Sequence, residues 1–243
     1  MAELIPLSQL PPSALPALAA LHAASMATLL TDLGRDFILR YYQLAQADSS
    51  VIAFCVFASS PPSPQSLIPN SQSLIPTPHS PIPTPYSLLP NPQLPITNYS
   101  SPIAYALGSP NPSALNAKLR QRLAWFAAQL LKLAFSRPGV FLQLAQSVLA
   151  ASEANSLKPG QIELTYIGVA PEARGQGLAK TILAVFVESA RAAGYTSVAL
   201  SVESDNSAAL ALYTKFGFTI TQTFAEGRYH RHRMELPLDI EGS

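Results

Sequence analysis

Hydrophobic positions recur every three or four residues along SALNAKLRQRLAWFAAQLLKLAF, in the middle of the chain, and this spacing predicts a helix. Pro138 opens a second helical run, GVFLQLAQSVLAAS, so we expect a helical segment over 113–151. Near the N-terminus, the alanine- and leucine-rich stretches 13–30 and 32–47 predict two more helices, with capping residues around Thr31. Because 48% of the residues are hydrophobic, the chain has ample apolar material for a core.

Shorter apolar runs bounded by turn residues predict strands. The first two are SVIAFCVFA and PIAYALG, and QIELTYIGV follows the helical segment. After it, helices over 176–193 and 206–216 alternate with the strands SVALSVES, TITQTFA and YHRHRMELPL. Alternation of strands and helices along a chain is typical of an α/β fold.

Proline is concentrated between the first two predicted strands. Fifteen of the 23 prolines lie between Ser59 and Pro112, in a pattern that repeats every seven residues as SLIPNSQ, SLIPTPH, SPIPTPY and SLLPNPQ. Proline at this density forbids a helix and predicts an extended, polyproline-like loop, inserted over 59–102 into the turn of a hairpin. Two origins stay open, an expansion of the sequence or a docking site for a partner that binds proline-rich motifs.

Net charge and cysteine content narrow the class of protein. Lys and Arg number 15 against 14 Asp and Glu, which gives no electrostatic reason to expect a nucleic-acid partner. The single cysteine, Cys55, cannot form an internal disulfide and suits a reducing compartment. We find neither a signal peptide nor an apolar run long enough for stable membrane insertion, so we expect a cytoplasmic protein. The apolar excess of 113–151 permits a homodimer or a weak membrane contact.

The segment VAPEARGQGLAK, residues 169–180, joins a predicted strand to a predicted helix. Gly175 and Gly177 leave backbone N–H groups uncovered at the start of that helix, and Arg174 adds positive charge, so the turn is suited to an anion. The segment is not a P-loop, and Lys180 stands where a dinucleotide fingerprint would have a third small residue. On these residues alone, a plain tight turn remains the alternative.

Two longer segments, ELTYIGVAPEARGQGLAKTIL and SVESDNSAALALYTKFGF, closely resemble the GNAT superfamily of acyl-CoA N-acyltransferases. The resemblance is strong over 161–220 and before 160 rests mainly on the order of elements. It implies a single domain over 1–243, with a mixed, mostly antiparallel central sheet that is flanked by helices and splayed at the motif strand. It also implies acetyl-CoA as co-substrate.

The family's loop holds the pyrophosphate of acetyl-CoA on backbone amides, and Arg174 and Gly177 match its pattern. The strand ending at 167–169 would run beside the pantetheine arm. Asn206, which the sequence predicts as a helix N-cap, matches an asparagine near the pantetheine, and Tyr213 matches the tyrosine that protonates the departing thiolate. The resemblance therefore implies these cofactor-binding residues: Ile167, Gly168, Val169, Arg174, Gly175, Gln176, Gly177, Leu178, Ala179, Asn206 and Tyr213.

Glu163 is our candidate for the general base. Strand alternation places Glu163, Thr165 and Ile167 on one face and Leu164 and Tyr166 on the other. A carboxylate in a partly buried cleft would have its pKa raised toward a useful value. Two alternatives stay open, an exposed glutamate at a strand edge and deprotonation of the amine through water without a dedicated base.

The following strand bears on the acceptor. Ribosomal-protein N-terminal alanine acetyltransferases, which share this motif, carry a glutamate there, whereas this chain has Ser201, with Glu203 next on that face. This difference argues against that particular activity.

The C-terminal RYHRHR concentrates charge. Alternation puts Tyr229, Arg231 and Arg233 on one face and His230 and His232 on the other, with no third ligand to make a metal site. The charged face is either an exposed strand face or a contact surface for an acidic acceptor.

We therefore expect an N-acetyltransferase that moves the acetyl group of acetyl-CoA directly to a primary amine in a ternary complex. Tyr213 is the expected acid. The acceptor, a small molecule, an amino sugar or a protein amine, is not evident from the sequence. The alternatives are a non-catalytic acyl-CoA sensor and a protein-interaction module.

Overall fold

The computed structural model describes residues 2–26, 28–58, 101–120, 131, 139, 157–226 and 229–238. Its strands are β1 (Ala2–Pro6), β2 (Ile52–Ala58), β3 (Pro102–Ser109), β4 (Gln161–Val169), β5 (Ser197–Glu203), β6 (Thr219–Glu226) and β7 (Tyr229–Pro237). Its helices are α1 (Leu15–Ser25), α2 (Leu29–Leu33), α3 (Arg35–Gln46), α4 (Pro112–Arg120), α5 (Leu178–Ala192) and α6 (Ser207–Phe216). The proline-rich insertion up to residue 100 and most of the helical segment beyond Arg120 lie outside the described residues.

The strands form one seven-stranded sheet in the order β1-β2-β3-β4-β5-β7-β6. All neighbours are antiparallel except β4 and β5, which are parallel. The pairing of β2 with β3 confirms the predicted hairpin, with Ile52 opposite Gly108 and Phe57 opposite Pro102. The sheet is thus mixed and mostly antiparallel, as expected.

Strand β1 was not predicted from the sequence. It pairs with β2 at the edge of the sheet, and its Ile5 side chain is buried. An edge strand of five residues that ends in proline carries too short an alternation to be recognised, and its stability comes from pairing with a strand nearly fifty residues away.

The two helices predicted over 13–47 are three, and the predicted caps were wrong. Met26 has an extended backbone that ends α1, and Thr28, not Thr31, caps α2 by accepting a hydrogen bond from the Thr31 amide at 3.2 Å. Gly34, with φ of +104°, then separates α2 from α3. Helix propensity is continuous through this region, so the breaks follow from local capping and from tertiary contacts of the Met26–Thr31 region.

Helices cover both faces of the sheet and create two cores. The first core lies under α1 and α3 and includes Leu15, Leu18, Phe37, Ile38, Tyr41, Tyr42, Tyr105 and Leu107. The second core lies under α5 and α6 and includes Leu164, Ile182, Leu183, Phe186, Leu200, Tyr213 and Met234. Side chains that alternate along β4 therefore project into different cores.

Strands β4 and β5 diverge part-way along the sheet. They pair only from Gln161 to Leu164 and from Ser197 to Leu200. Beyond these residues β4 stays paired with β3 as far as Val169, while β5 stays paired with β7 as far as Glu203. The sheet therefore opens into a cleft at the C-terminal ends of its two parallel strands, as the family resemblance implied.

Gly108 allows α5 to approach the sheet closely. A Cβ atom at this position would lie 2.6 Å from the Glu163 carbonyl oxygen and would also overlap the Phe186 ring. We predict that Gly108→Ala lowers the free energy of unfolding in urea by about 1 to 3 kcal/mol, the usual range for overpacking. As control, Gly194→Ala meets no atom within 4 Å and adds only the strain of its φ of +82°, so its loss should be smaller. Equal losses in the two variants would contradict this interpretation.

Candidate active site

The turn between β4 and α5 is built on left-handed glycines. Gly175 and Gly177 both have φ of +77°, a conformation that strains any residue with a Cβ atom. Helix α5 begins directly after Gly177, at Leu178. A Cβ atom at either glycine would meet nothing within 4 Å, so the space in front of the turn is open.

This turn presents a continuous series of unused backbone donors. Within the described part of the chain, no hydrogen bond is made by the amides of residues 175–180, and α5 has no side-chain cap at its N-terminus. The positive end of the helix dipole adds to these N–H groups. Arg174 is exposed beside them, with its Nε atom 3.5 Å from the Val169 carbonyl oxygen. The arrangement is an anion cradle that faces solvent.

Helix α6 follows the divergent end of β5, with Asn206 at its start. As predicted, Asn206 is the N-cap, and its Oδ1 atom accepts a hydrogen bond from the Ala209 amide at 3.1 Å. The side chain is exposed, and its amide nitrogen makes no hydrogen bond to another described residue. Asn206 therefore retains two donors for a ligand.

Tyr213 lies further along the same helix, and its side chain is buried in the second core. Its ring packs edge-on against Phe218, with 5.7 Å between ring centroids. Ile167, Val169 and Leu178, from β4 and the start of α5, border the same core. Burial raises the pKa of Tyr213 well above the ordinary value for tyrosine. The hydroxyl is thus protonated at neutral pH, and it donates to no other residue that the structure describes.

A β-bulge in β4 overturns the predicted division of its side chains between the two faces. Leu107 pairs with Tyr166 and Gly108 with Leu164, so Thr165 is an extra residue without a partner on β3. Strict alternation therefore fails: Tyr166 packs against the first core, and Ile167 joins Leu164 at the second. The bulge lies just where β4 and β5 begin to diverge, so it re-aims the strand at the mouth of the cleft.

Glu163 is held in an ion pair rather than exposed at a strand edge. Its Oε1 atom lies 3.1 Å from Nη1 of Arg233, and the two side chains are only 13% and 6% exposed. The same Arg233 nitrogen donates to Ser201 Oγ at 3.1 Å. Three strands, β4, β5 and β7, are thereby joined on one face of the sheet. Because Glu163 alternates with Leu164, it lies on the opposite face from Tyr213.

The C-terminal strand shows the predicted separation of its basic residues. Arg233 is buried beside Glu163, whereas its neighbour Met234 belongs to the second core. His232 accepts or donates a hydrogen bond with Thr223 Oγ1 at 2.8 Å.

Among the described residues there is no group of three or more side chains suited to a metal ion. None of the described helices is long and apolar enough to cross a bilayer.

A buried polar cluster on the first-core face was not predicted. At its centre His22 is fully buried, with Nδ1 2.9 Å from Tyr42 Oη and Nε2 3.3 Å from Thr28 Oγ1. The rings of Tyr105 and Tyr166 pack on the imidazole, at centroid distances of 5.7 and 4.7 Å. Burial lowers the pKa of His22 to about 4. A histidine inside an alanine-rich helix gives no sequence signal for such a cluster.

Gly168 connects this cluster to β4. A Cβ atom at Gly168 would lie 2.5 Å from both Ser25 Oγ and Tyr105 Cε1. The end of α1 and the Tyr105 ring therefore pack directly on the strand that borders the cleft. A glycine inside a predicted strand is the one sequence feature that could have indicated this close approach.

Comparison with known proteins assigns this site to a family. Residues 103–218 match the family described as the Acetyltransferase (GNAT) family. This stretch of the chain is a GNAT acetyltransferase domain. The matched range contains the cleft, the glycine turn, Asn206 and Tyr213. The resemblance inferred from the motifs is thereby confirmed.

Sequence relatives and solved structures agree with this assignment. A mycothiol acetyltransferase of Saccharomonospora viridis is 32% identical over 111 residues, 44% of this chain. That match covers 36% of the relative, so this chain spans about a third of the curated protein's length. The ribosomal-protein-S18-alanine N-acetyltransferase from Escherichia coli superposes with a TM-score of 0.52 at 14% identity, over 100% of this chain and 97% of that chain.

An N-acetyltransferase from Thermoplasma acidophilum, solved with coenzyme A, also has a TM-score of 0.52, at 12% identity, over 98% of this chain and 99% of that chain. At these identities the two structures establish the fold alone, and the predicted fold class is confirmed.

The buried His22 makes stability depend on pH in a defined direction. Between the ordinary histidine pKa of 6.5 and the folded value of about 4, the unfolded chain binds a proton that the folded chain excludes. We predict that this site lowers the free energy of unfolding by up to roughly 3 kcal/mol as the pH falls from 7 to 4. Urea unfolding of wild type and His22→Gln at several pH values isolates the effect. Parallel pH profiles would contradict it.

Proposed function

We propose that the GNAT chain transfers the acetyl group of acetyl-CoA to a primary amine. The observation that carries this proposal is the open series of amides over 175–180 at the mouth of a cleft that Tyr213 borders with a protonated hydroxyl. An anion cradle alone would suit many ligands. Joined to a cleft between separated strands and a buried acid, it suits a phosphorylated thioester.

Acetyl-CoA fits the site in two parts. The pyrophosphate occupies the cradle, where the N–H groups of 175–180 and the exposed Arg174 supply donors and positive charge. The pantetheine arm contains two amide groups and lies along Ile167–Val169, which β5 has ceased to pair on that side. The amide groups of the pantetheine arm thus take the place of a missing strand. Asn206, whose amide nitrogen is unused, faces the arm from the other wall of the cleft.

The transfer then proceeds by direct attack. The neutral amine attacks the thioester carbonyl carbon, and a backbone N–H of Ile167–Val169 stabilises the oxygen as it gains negative charge. When the intermediate collapses, the C–S bond breaks and Tyr213 donates its proton to the departing sulfur. The proton lost by the amine passes to a base, and the products are an N-acetyl amine and CoA.

Glu163 is the base that we propose, acting through water. It stands on the face opposite Tyr213, so the proposed proton acceptor and proton donor lie on different sides of the sheet. About 15 Å of strand separates its backbone from that of Gly168, so direct contact with the amine is excluded. The carboxylate that would receive the proton is the one paired with the Arg233 guanidinium, at 3.1 Å.

The acceptor is a primary amine whose class we leave to experiment. The relative from Saccharomonospora viridis is named for mycothiol, and the Escherichia coli structure for an alanine of a ribosomal protein. On β5, the position expected to carry a glutamate in the latter enzymes is Ser201, which Arg233 binds. An amine panel should therefore include amino sugars, cysteine-containing small molecules and peptides with free N-termini.

Binding is tested by calorimetric titration of acetyl-CoA and CoA. We predict that Gly177→Glu weakens both by at least about 100-fold, because the new side chain strains the turn and places a carboxylate in the cradle. Gly194→Glu is the matched control, since Gly194 has φ of +82° in open space at the far end of α5. Equal affinity in the two variants would show that the turn does not bind the pyrophosphate.

The acid is tested by following thiol release with the amine panel. We predict that Tyr213→Phe lowers kcat by about 100-fold or more and changes the Kd of acetyl-CoA less than twofold, since only the proton donor is lost. Tyr195→Phe, in the turn after α5, should leave both values unchanged. Full turnover in Tyr213→Phe would remove this residue from the mechanism. Binding without thiol release on any amine would favour a sensor of acyl-CoA.

A further inference from the structure

We propose that His22 is a positioning residue for the acceptor side of this site. Through two directed hydrogen bonds it fixes the connection between α1 and α2, represented by Met26 and Thr28, against β4 at Gly168. The inference rests on the proposed acetyl transfer only for the location of the thioester beside Gly168. The hydrogen-bonded arrangement itself is independent of that assignment.

The direction of each hydrogen bond around His22 follows from the partners. Thr31 Oγ1 donates its hydrogen to the Met26 carbonyl at 2.9 Å, so the 3.0 Å bond between Thr28 and Thr31 uses the Thr28 hydrogen. Thr28 Oγ1 therefore accepts from His22, which requires a proton on Nε2. His22 Nδ1 is then an acceptor, and the Tyr42 hydroxyl donates to it.

Several hydrogen bonds of this network converge on Met26. The Met26 amide donates to the His22 carbonyl at 3.1 Å, its carbonyl accepts from Thr31, and its sulfur accepts from Tyr105 Oη at 3.1 Å. Ser25 Oγ also donates to the His22 carbonyl. The residues that end α1 are thus held both by the His22 backbone and by the groups bonded to its ring.

The contact with β4 places this cluster at the acceptor side. Ser25 and Tyr105 both approach Gly168 so closely that no Cβ atom fits between them. The proposed acid, Tyr213, and the cradle before α5 lie on the second-core face, so the amine reaches the thioester from the first-core face. On that face the connection between α1 and α2, represented by Met26 and Thr28, borders the path by which the amine reaches the thioester.

The cluster is neutral around the imidazole. From α3, Tyr42 faces the ring; from β3, Tyr105; from β4, Tyr166; and from the start of α2, Thr28. No Asp, Glu, Lys or Arg among the described residues contacts the ring. A neutral imidazole, with one donor and one acceptor nitrogen, suits these partners. A proton added to Nδ1 would remove the acceptor to which the Tyr42 hydroxyl donates.

Two substitutions at His22 separate polarity from packing. In His22→Gln the side-chain oxygen accepts from Tyr42 and the nitrogen donates to Thr28, which repeats the polarity of the imidazole. His22→Leu removes both bonds, so the buried Tyr42 hydroxyl and the partly buried Thr28 hydroxyl both lose the imidazole as a partner. Val187→Ala is the control for general loss of stability, because Val187 belongs to the second core on α5.

Hydrogen exchange measured by mass spectrometry gives the first readout. We expect amides in α1, α2 and the residues between them to exchange about tenfold faster in His22→Leu, with α5 and α6 unchanged. The pattern in His22→Gln should stay close to wild type. Wild-type exchange in His22→Leu, or equal acceleration in the leucine and glutamine variants, would overturn the inference.

Kinetics with glycinamide gives the second readout, because its α-amino group has a pKa of about 8 and is substantially neutral at pH 8. We expect His22→Leu to raise the KM for glycinamide at least about fivefold while the calorimetric Kd of acetyl-CoA stays within twofold. His22→Gln and Val187→Ala should keep the wild-type KM. An unchanged KM in His22→Leu would overturn the positioning role. If wild type acetylates no amine, the proposed function fails, and the exchange experiment still decides whether His22 fixes the connection.

Discussion

The divergence of β4 and β5 after Leu164 and Leu200 is the constraint on which the rest of the site depends. Two parallel strands that separate leave backbone groups without a sheet partner, and such groups need another source of hydrogen bonds. The flanking pairs with β3 and β7 remain intact, so the opening is held by the sheet and does not depend on a ligand. We propose that a ligand with its own amide groups completes the interrupted sheet.

Two further features are placed by this opening. The bulge at Thr165 shifts the side-chain pattern of β4 where the strands part, which sends Tyr166 to one core and Ile167 to the other. The glycine turn, with Gly175 and Gly177 in the left-handed conformation, then lies between the end of β4 and the start of α5. As a result Tyr213, the proposed acid, lies on one face of the sheet with α5, while the Glu163–Arg233 pair and the His22 cluster share the opposite face. This division underlies our proposal that acetyl-CoA and the amine approach from different faces.

The sequence predicted those parts of the site that are determined locally. The turn at Gly175 and Gly177 and the cap at Asn206 follow from residue types within a few positions of each other, and both have the predicted geometry. The bulge at Thr165 was missed because it depends on the register with β3, which lies over fifty residues earlier.

His22 was missed for the same reason. Its partners come from α2, α3, β3 and β4, and each of them is an ordinary residue in its own segment. Long-range pairing therefore decides the side of the site that we propose for the acceptor, whereas local sequence decides the turn and the cap on the side that we propose for the cofactor. That contrast explains why the co-substrate could be inferred from motifs and the acceptor could not.

The most direct test of the account is a backbone amide NMR titration of the full chain with CoA. If the cleft and the turn bind the cofactor as proposed, the amide resonances of residues 167–169 and 175–180 should shift together and saturate at one ligand per chain. Resonances of α3 and β1, remote from the cleft, should remain in place. Shifts that cluster away from both segments, or their absence at saturating CoA, would contradict the central claim that the divergence of β4 and β5 forms the cofactor site.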